Sequence, residues 1–175
     1  LVVPGSMVAL DSGANDRYWN RAPLWFLGRE LFAHDKIHLM RGANQPAKDE
    51  DAGYVFKKIA ERCTPGTKLT ILWSPQWSMT IAICADLQNP RIENALKATR
   101  VNMIFVPFLT PKLGDMSITM NNLATKNQAV IVASNSVYPS PGSKEITSAL
   151  YTPFNTKPTW QNDKVGELRI HDWFS

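Results

Sequence analysis

Cys84 is the residue of this chain that is best suited to covalent chemistry, because it ends the apolar run "SMTIAIC" and precedes a small residue and an aspartate. A cysteine attacks as its thiolate, which a nearby cation or backbone N–H groups can stabilise. The N–H of Ala85 could face an oxyanion, and its small side chain leaves room for a substrate. A buried, inert thiol is the alternative, since cysteines are among the most buried residues. Position alone leaves both interpretations equally open.

The elements around Cys84 favour the first interpretation. The runs "TIAIC", "MIFVPF" and "AVIVAS" are apolar on both faces, and helical patterns separate them. This order predicts a βαβαβ unit with parallel strands, whose functional residues lie beyond the carboxyl ends of the strands. Cys84, Phe108 and Asn135 occupy such ends. Asn135 could hydrogen-bond a substrate or could simply end its strand. Pro90 is expected near the start of the first helix, and Asp115 as the N-cap of the second.

The first part of the chain shows mainly β patterns. "LVVPGS" predicts a strand, and the runs on either side of Gly28 predict a hairpin. Residues 41–51 are polar and predict a loop. Apolar residues in the 52–63 stretch recur at helical spacing and predict a helix that ends at Thr64-Pro65-Gly66. Lys36 lies among apolar strand residues, where a lysine needs a partner or a function.

Composition limits the class of protein. The net charge is +4 and its basic residues are scattered, so no nucleic-acid partner is expected. No apolar run reaches the length of about 20 residues that spans a bilayer, so no membrane association is expected. The two cysteines are too few for a disulfide framework and favour a reducing compartment, the cytoplasm. His34 and His38 lie four residues apart without a visible third ligand, so no metal site is predicted.

Four motifs in order resemble the nitrilase superfamily, the carbon–nitrogen hydrolases. "IAICADLQNP" resembles the family's nucleophile segment, and "HDKIHLM" its Lys-x-His-Leu motif. "LVVPGS" with the following hairpin resembles the elements before the lysine, and "NNLATKNQAVIVASNS" those after the nucleophile. The resemblance covers about residues 1–136. This sequence departs from the family at Ala85, where an aromatic residue is usual, and at Lys126, where glutamate is frequent.

The resemblance implies a catalytic set of carboxylate, lysine and cysteine. Cys84 would be the nucleophile, Lys36 the cation that stabilises developing negative charge, and Ala85, Phe108 and Asn135 the binding residues. The family's first glutamate lies upstream of a segment like the one at Leu1, so we expect a fragment without it, inactive by itself. Glu61 is the nearest match to a second family glutamate and is its candidate here. Asp86 is expected to fix the turn by accepting backbone hydrogen bonds.

The resulting expectation is an α/β protein with a nitrilase-type α-β-β-α sandwich, incomplete at the N-terminus and at the C-terminus, formed by residues 1–175 as a single partial domain. It would hydrolyse a non-peptide carbon–nitrogen bond of a small amide or nitrile through a thioester, without a cofactor. The resemblance also implies a homodimer or higher homo-oligomer of the intact protein. The alternatives are an acyl or amido transfer enzyme of the same superfamily, or a catalytically silent binding or regulatory module.

Overall fold

The computed structural model describes residues 3, 5–10, 18–39, 43–49, 53–59, 63–108, 114–135, 148–154 and 160–162. Contacts between residues divide the chain into two compact units, Leu1–Lys68 and Leu69–Ser175. The first unit contains antiparallel strands, and the second contains helices that alternate with parallel strands. The mixed α/β class expected from the sequence is therefore confirmed.

The first unit has a three-stranded antiparallel sheet. Its strands are β1 (Met7–Leu10), β2 (Tyr18–Phe26) and β3 (Arg29–Asp35), in that order across the sheet. The predicted hairpin is confirmed, with Leu27 and Gly28 at its turn. Both turn residues have positive φ, 48° and 76°, which matches the twist that two-residue hairpin loops need. On β2, Ala22 and Leu24 are fully buried.

Two predictions for the first unit were wrong. The stretch predicted as a loop contains strand β4 (Ala43–Asp49), and the predicted helix is strand β5 (Gly53–Ile59), which pairs with β4 along its whole length. The apolar residues of β5 suit either a helix or a strand, and its run "YVF" has high β propensity. Pairing with a neighbouring strand decides between the two in such a case. The strand predicted for "LVVPGS" falls largely on residues outside the described ones, and β1 begins after it, at Met7.

The second unit has a six-stranded sheet in the order β11-β10-β9-β8-β7-β6. The strands are β6 (Ile71–Trp73), β7 (Ser78–Ile81), β8 (Met103–Phe108), β9 (Val130–Asn135), β10 (Ser148–Tyr151) and β11 (Trp160–Asn162). The three neighbours β7, β8 and β9 are parallel, whereas the outer pairings are antiparallel. The predicted succession of parallel strands and helices is thus confirmed.

Helix α1 (Pro90–Thr99) connects β7 to β8, and helix α2 (Gly114–Asn127) connects β8 to β9. Asn89 caps α1, because its side chain accepts a hydrogen bond from the N–H of Arg91, and Pro90 occupies the first helical position, as predicted. Helix α2 begins at Gly114, so Asp115 lies inside its first turn, one position after the predicted cap.

The core of the second unit lies between its sheet and these helices. Branched residues of the parallel strands pack there with apolar residues of both helices. Fully buried members include Ile81, Ile104, Ile131, Leu96 and Leu123. Burying side chains of this size is worth about 1.5–3 kcal/mol each, so the core holds the carboxyl ends of β7, β8 and β9 in a fixed register.

Candidate active site

Cys84 lies in a strained backbone conformation directly after β7. It is the first residue of a short 3₁₀ helix, Cys84–Gln88, and has a φ of 49°. In the part of the chain that the structure describes, three other non-glycine residues have positive φ, and they occupy positions where this is common: Leu27 at the hairpin turn, and Arg100 and Gln128 after helix ends. Cys84 instead begins a helical turn. A non-glycine residue in this region costs about 1–2 kcal/mol, and such strain is concentrated at functional sites.

Asp86 holds this turn in place, as predicted. Its carboxylate accepts a hydrogen bond of 2.9 Å from the backbone N–H of Ile83, and its own N–H donates to the carbonyl oxygen of Ile83 at 3.0 Å. Asp86 is fully buried and Ile83 is almost so. These reciprocal bonds span Cys84 from both sides and fix its backbone. A buried carboxylate in this position therefore has a clear structural role.

The predicted binding residues follow neighbouring strands at one edge of the sheet. Phe108 and Asn135 are the last residues of β8 and β9 and lie opposite each other in the register. Ile81 lies opposite Phe105, and the N–H of Ala82 still donates to the carbonyl oxygen of Phe105 at 3.0 Å. Cys84 follows the carboxyl end of β7, which pairs in parallel with β8 as β8 does with β9. The structure thus brings Cys84, Phe108 and Asn135 to the same edge.

These side chains differ in their exposure. Cys84 is 5% exposed, Ala85 2% and Phe108 2%, whereas Asn135 is half-buried. Ala85 lies in the first turn of the 3₁₀ helix, where backbone N–H groups lack an acceptor within the helix. Cys84, Ala85 and Phe108 are therefore all buried residues near the carboxyl ends of β7 and β8.

Lys36 belongs to the first unit and directly follows β3. It is 3% exposed, which is unusual for a lysine. Its N–H donates to the carbonyl oxygen of Asn20 at 2.8 Å, and its carbonyl oxygen accepts from the N–H of Gly66 at 2.8 Å. The backbone of Lys36 is thus fixed on both sides.

The residue before Lys36 is part of an ion pair. Arg21 and Asp35 lie opposite each other in β2 and β3, and the guanidinium binds both carboxylate oxygens, at 2.6 Å and 2.9 Å. This hydrogen bonding raises the pKa of Arg21. Both side chains are partly exposed, so the pair contributes little stability, about 0–1 kcal/mol. Its bidentate geometry nevertheless orients the end of β3.

Glu61, the predicted carboxylate, lies outside the described residues. Among the residues that the structure describes, no group of three or more His, Cys, Asp or Glu side chains could hold a metal ion. Within the same part of the chain, no helix has the length and apolar character needed to cross a membrane.

The comparisons with known proteins rest on structure. No family model matches this chain, and no curated protein sequence does. Nit3 of Saccharomyces cerevisiae, a member of branch 10 of the nitrilase superfamily, is similar with a TM-score of 0.66 and 16% identity over 91% of this chain and 54% of its own. The chain has the nitrilase-superfamily fold. This confirms the fold expected from the sequence.

Other structures with the nitrilase-type fold are similar to the same degree. A mutant amidase from Nesterenkonia sp. AN1, which carries the acetamide moiety of fluoroacetamide on its active-site cysteine, matches with a TM-score of 0.64 and 17% identity over 90% of this chain and 55% of its own. The glutamine-dependent NAD+ synthetase of Acinetobacter baumannii matches with a TM-score of 0.63 and 17% identity over 90% and 28%. The chain therefore spans about half the length of the first two, and less of the third.

The structure also identifies a residue whose importance the sequence analysis missed. Gly66 was assigned only to the end of a predicted helix, yet it contacts the backbone of Lys36. A Pro-Gly pair shortly before a strand was the available signal, because glycine often marks a close approach between backbones.

Proposed function

We propose that this protein is a carbon–nitrogen hydrolase that cleaves a small, non-peptide amide through a thioester on Cys84. The observation that supports this most is the strained, left-handed backbone of Cys84 at the carboxyl end of a parallel strand. A sharp strand-to-helix turn of this kind presents a nucleophile in other hydrolases. The positive φ of Cys84 lowers the stability of the fold, and holding a nucleophile in a fixed orientation is a functional reason for this cost.

The reaction would have two halves. In the first, the Sγ of Cys84 attacks the amide carbon and forms a C–S bond while the carbonyl π electrons move to oxygen. When this carbonyl re-forms, the C–N bond breaks and the nitrogen leaves as an amine or ammonia with the proton that the thiol gave up. In the second, water attacks the thioester carbon and the C–S bond breaks. The products are a carboxylic acid and the free thiol.

Charge stabilisation would come from two sources. We propose that Lys36 supplies a positive charge to the oxyanion, since it occupies the lysine position of the motif that resembles the family's and its backbone is fixed on both sides. The N–H of Ala85 would donate to the same oxygen. Donors aimed at developing charge typically contribute about 10²–10³-fold in rate. Phe108 and Asn135 would contact the acyl portion, one by apolar packing and the other by hydrogen bonding.

The proton transfers need a carboxylate. General-base assistance of this kind contributes about 10²–10⁴-fold. Within this chain Glu61 is the candidate for this carboxylate. Self-association into a dimer or larger oligomer also stays a prediction that rests on the family resemblance.

The first test uses fluoroacetamide, the compound named for the Nesterenkonia amidase, with Cys63 as the internal control. Cys63 is half-buried and Cys84 is buried, so labelling that follows exposure would favour Cys63. We expect peptide mapping by mass spectrometry to find the acetamide group on Cys84 first. Iodoacetamide should show the same order. Preferential labelling of Cys63 by both reagents would mean that Cys84 is an inert, buried thiol.

The second test measures turnover. The longest natural form of the protein is assayed against small amides, glutamine and nitriles, with release of ammonia as the signal. Cys84→Ala should abolish turnover and keep the circular dichroism spectrum of the wild type, because the change removes only a sulfur atom. Adding hydroxylamine tests for the thioester itself, since this nucleophile would trap the acyl group as a hydroxamate. Turnover of Cys84→Ala near the wild-type rate would refute the proposal.

A further inference from the structure

The 63–66 segment crosses the ends of two strands in the first unit. Cys63 forms a parallel bridge with Tyr18 at the start of β2, and the N–H of Thr64 donates to the carbonyl oxygen of Tyr18 at 2.7 Å. Two residues later, the N–H of Gly66 donates to the carbonyl oxygen of Lys36 at 2.8 Å. The segment is therefore fastened at both of its ends.

Gly66 lies against β3 so closely that no side chain fits. A Cβ atom at this residue would lie 2.8 Å from the carbonyl carbon of Asp35 and would overlap its carbonyl oxygen. The obstacle is backbone, which cannot move aside as the end of a flexible side chain can. In contrast, a Cβ atom at Gly5 or Gly28 would meet nothing within 4 Å. These two glycines have positive φ, whereas Gly66 does not, so Gly66 is needed for space.

We propose that Gly66 is a positioning residue for Lys36: its lack of a side chain lets the 63–66 segment lie against the end of β3 and fix the Lys36 backbone. This inference rests on the proposed function of Lys36 as the cation of the reaction. With alanine at position 66, the segment must move away from Asp35, and its hydrogen bond to Lys36 breaks. The Lys36 ammonium then loses its fixed position, and a misplacement of about 1 Å can cost about 10²-fold in rate.

The wild-type protein provides the first test, by amide hydrogen exchange. If the 63–66 segment clamps Lys36, then the amides of Gly66 and Lys36 should both be strongly protected, and the amide of Gly28 at the exposed hairpin turn should exchange fast. Exchange of the Gly66 amide as fast as that of Gly28 would refute the inference without any substitution.

The second test compares Gly66→Ala with Gly28→Ala. Both variants add one methyl group to a glycine of the first unit, and both are destabilised, one by overlap and the other by strain at positive φ. Lysines are then reductively methylated, with Lys97, half-exposed through its side chain, as the reference. We expect several-fold faster labelling of Lys36 in Gly66→Ala and wild-type labelling in Gly28→Ala. Unchanged protection of Lys36 in a folded Gly66→Ala variant would overturn the inference.

A double-mutant cycle in the active protein links this clamp to catalysis. Gly66→Ala should lower kcat and leave KM nearly unchanged, because a charge that develops in the transition state loses its partner. In the Lys36→Ala background, Gly66→Ala should cost nothing further, whereas independent effects would multiply. Full activity of Lys36→Ala would refute the role proposed for Lys36, and the labelling test would still decide whether Gly66 positions it. Additive losses in activation free energy would mean that Gly66 acts independently of Lys36, which would contradict the inference.

Discussion

Glycine at position 84 should be less costly than glycine at the neighbouring position 85. Cys84 has a φ of 49°, and Ala85 does not lie in the left-handed region. Both residues are buried, at 5% and 2% exposure. We therefore compare the step from alanine to glycine at the two positions, using Cys84→Ala and Cys84→Gly at one and the wild type and Ala85→Gly at the other.

The expected free energies follow from three contributions. Replacing alanine by glycine increases the conformational freedom of the unfolded chain, which costs about 0.4–1 kcal/mol of stability. It also removes a buried methyl group, which costs about 0.8 kcal/mol. Ala85→Gly should therefore lower the free energy of unfolding by about 1.2–1.8 kcal/mol. At position 84 the same losses are offset by relief of strain worth about 1–2 kcal/mol, so Cys84→Gly should be about as stable as Cys84→Ala.

Equilibrium urea denaturation measures these differences, with stability taken from the midpoint and the slope of each transition. The difference between the two steps matters, because the terms common to both positions cancel in it. Equal losses at positions 84 and 85 would show that the backbone of Cys84 is unstrained. The main argument for its role as nucleophile would then be lost.

Two further predictions concern buried polar groups of the second unit. Asp86→Ala leaves the N–H of Ile83 without its acceptor, so it should lower the free energy of unfolding by about 1–3 kcal/mol and slow the alkylation of Cys84. Asp86→Asn keeps an acceptor oxygen and should lower the free energy of unfolding by less. Equal losses for the two variants in urea denaturation would contradict the assigned hydrogen bond. Burial raises the pKa of Tyr151, and its hydrogen bond with Ser117 opposes this shift. The unfolded chain therefore releases the phenol proton first, and stability should fall as pH rises above about 10, the ordinary value for tyrosine. Tyr151→Phe should weaken this alkaline dependence, and an unchanged dependence in thermal unfolding would rule out Tyr151 as a source.

The sequence by itself determined the parallel part of the second unit. Uninterrupted apolar runs of strand length, separated by helical patterns, are compatible with few arrangements, because both faces of such strands must be covered. The ends of these runs were therefore enough to bring Cys84, Phe108 and Asn135 to one edge of the sheet. The hairpin around Gly28 was equally local in origin, since its turn needs residues that tolerate positive φ.

The tertiary structure alone decided the features that depend on distant partners. Residues 53–59 carry apolar side chains that suit a helix or a strand, and pairing with β4 selects the strand. The sequence predicted that Asp86 fixes the turn by hydrogen bonds, but the left-handed φ of Cys84 within that turn was visible only in the structure. The requirement for glycine at position 66 arises because residues far apart in sequence, Gly66 and Asp35, meet backbone to backbone. Local patterns thus specified which segments form the central sheet, whereas packing between segments set the backbone geometry at Cys84 and Lys36.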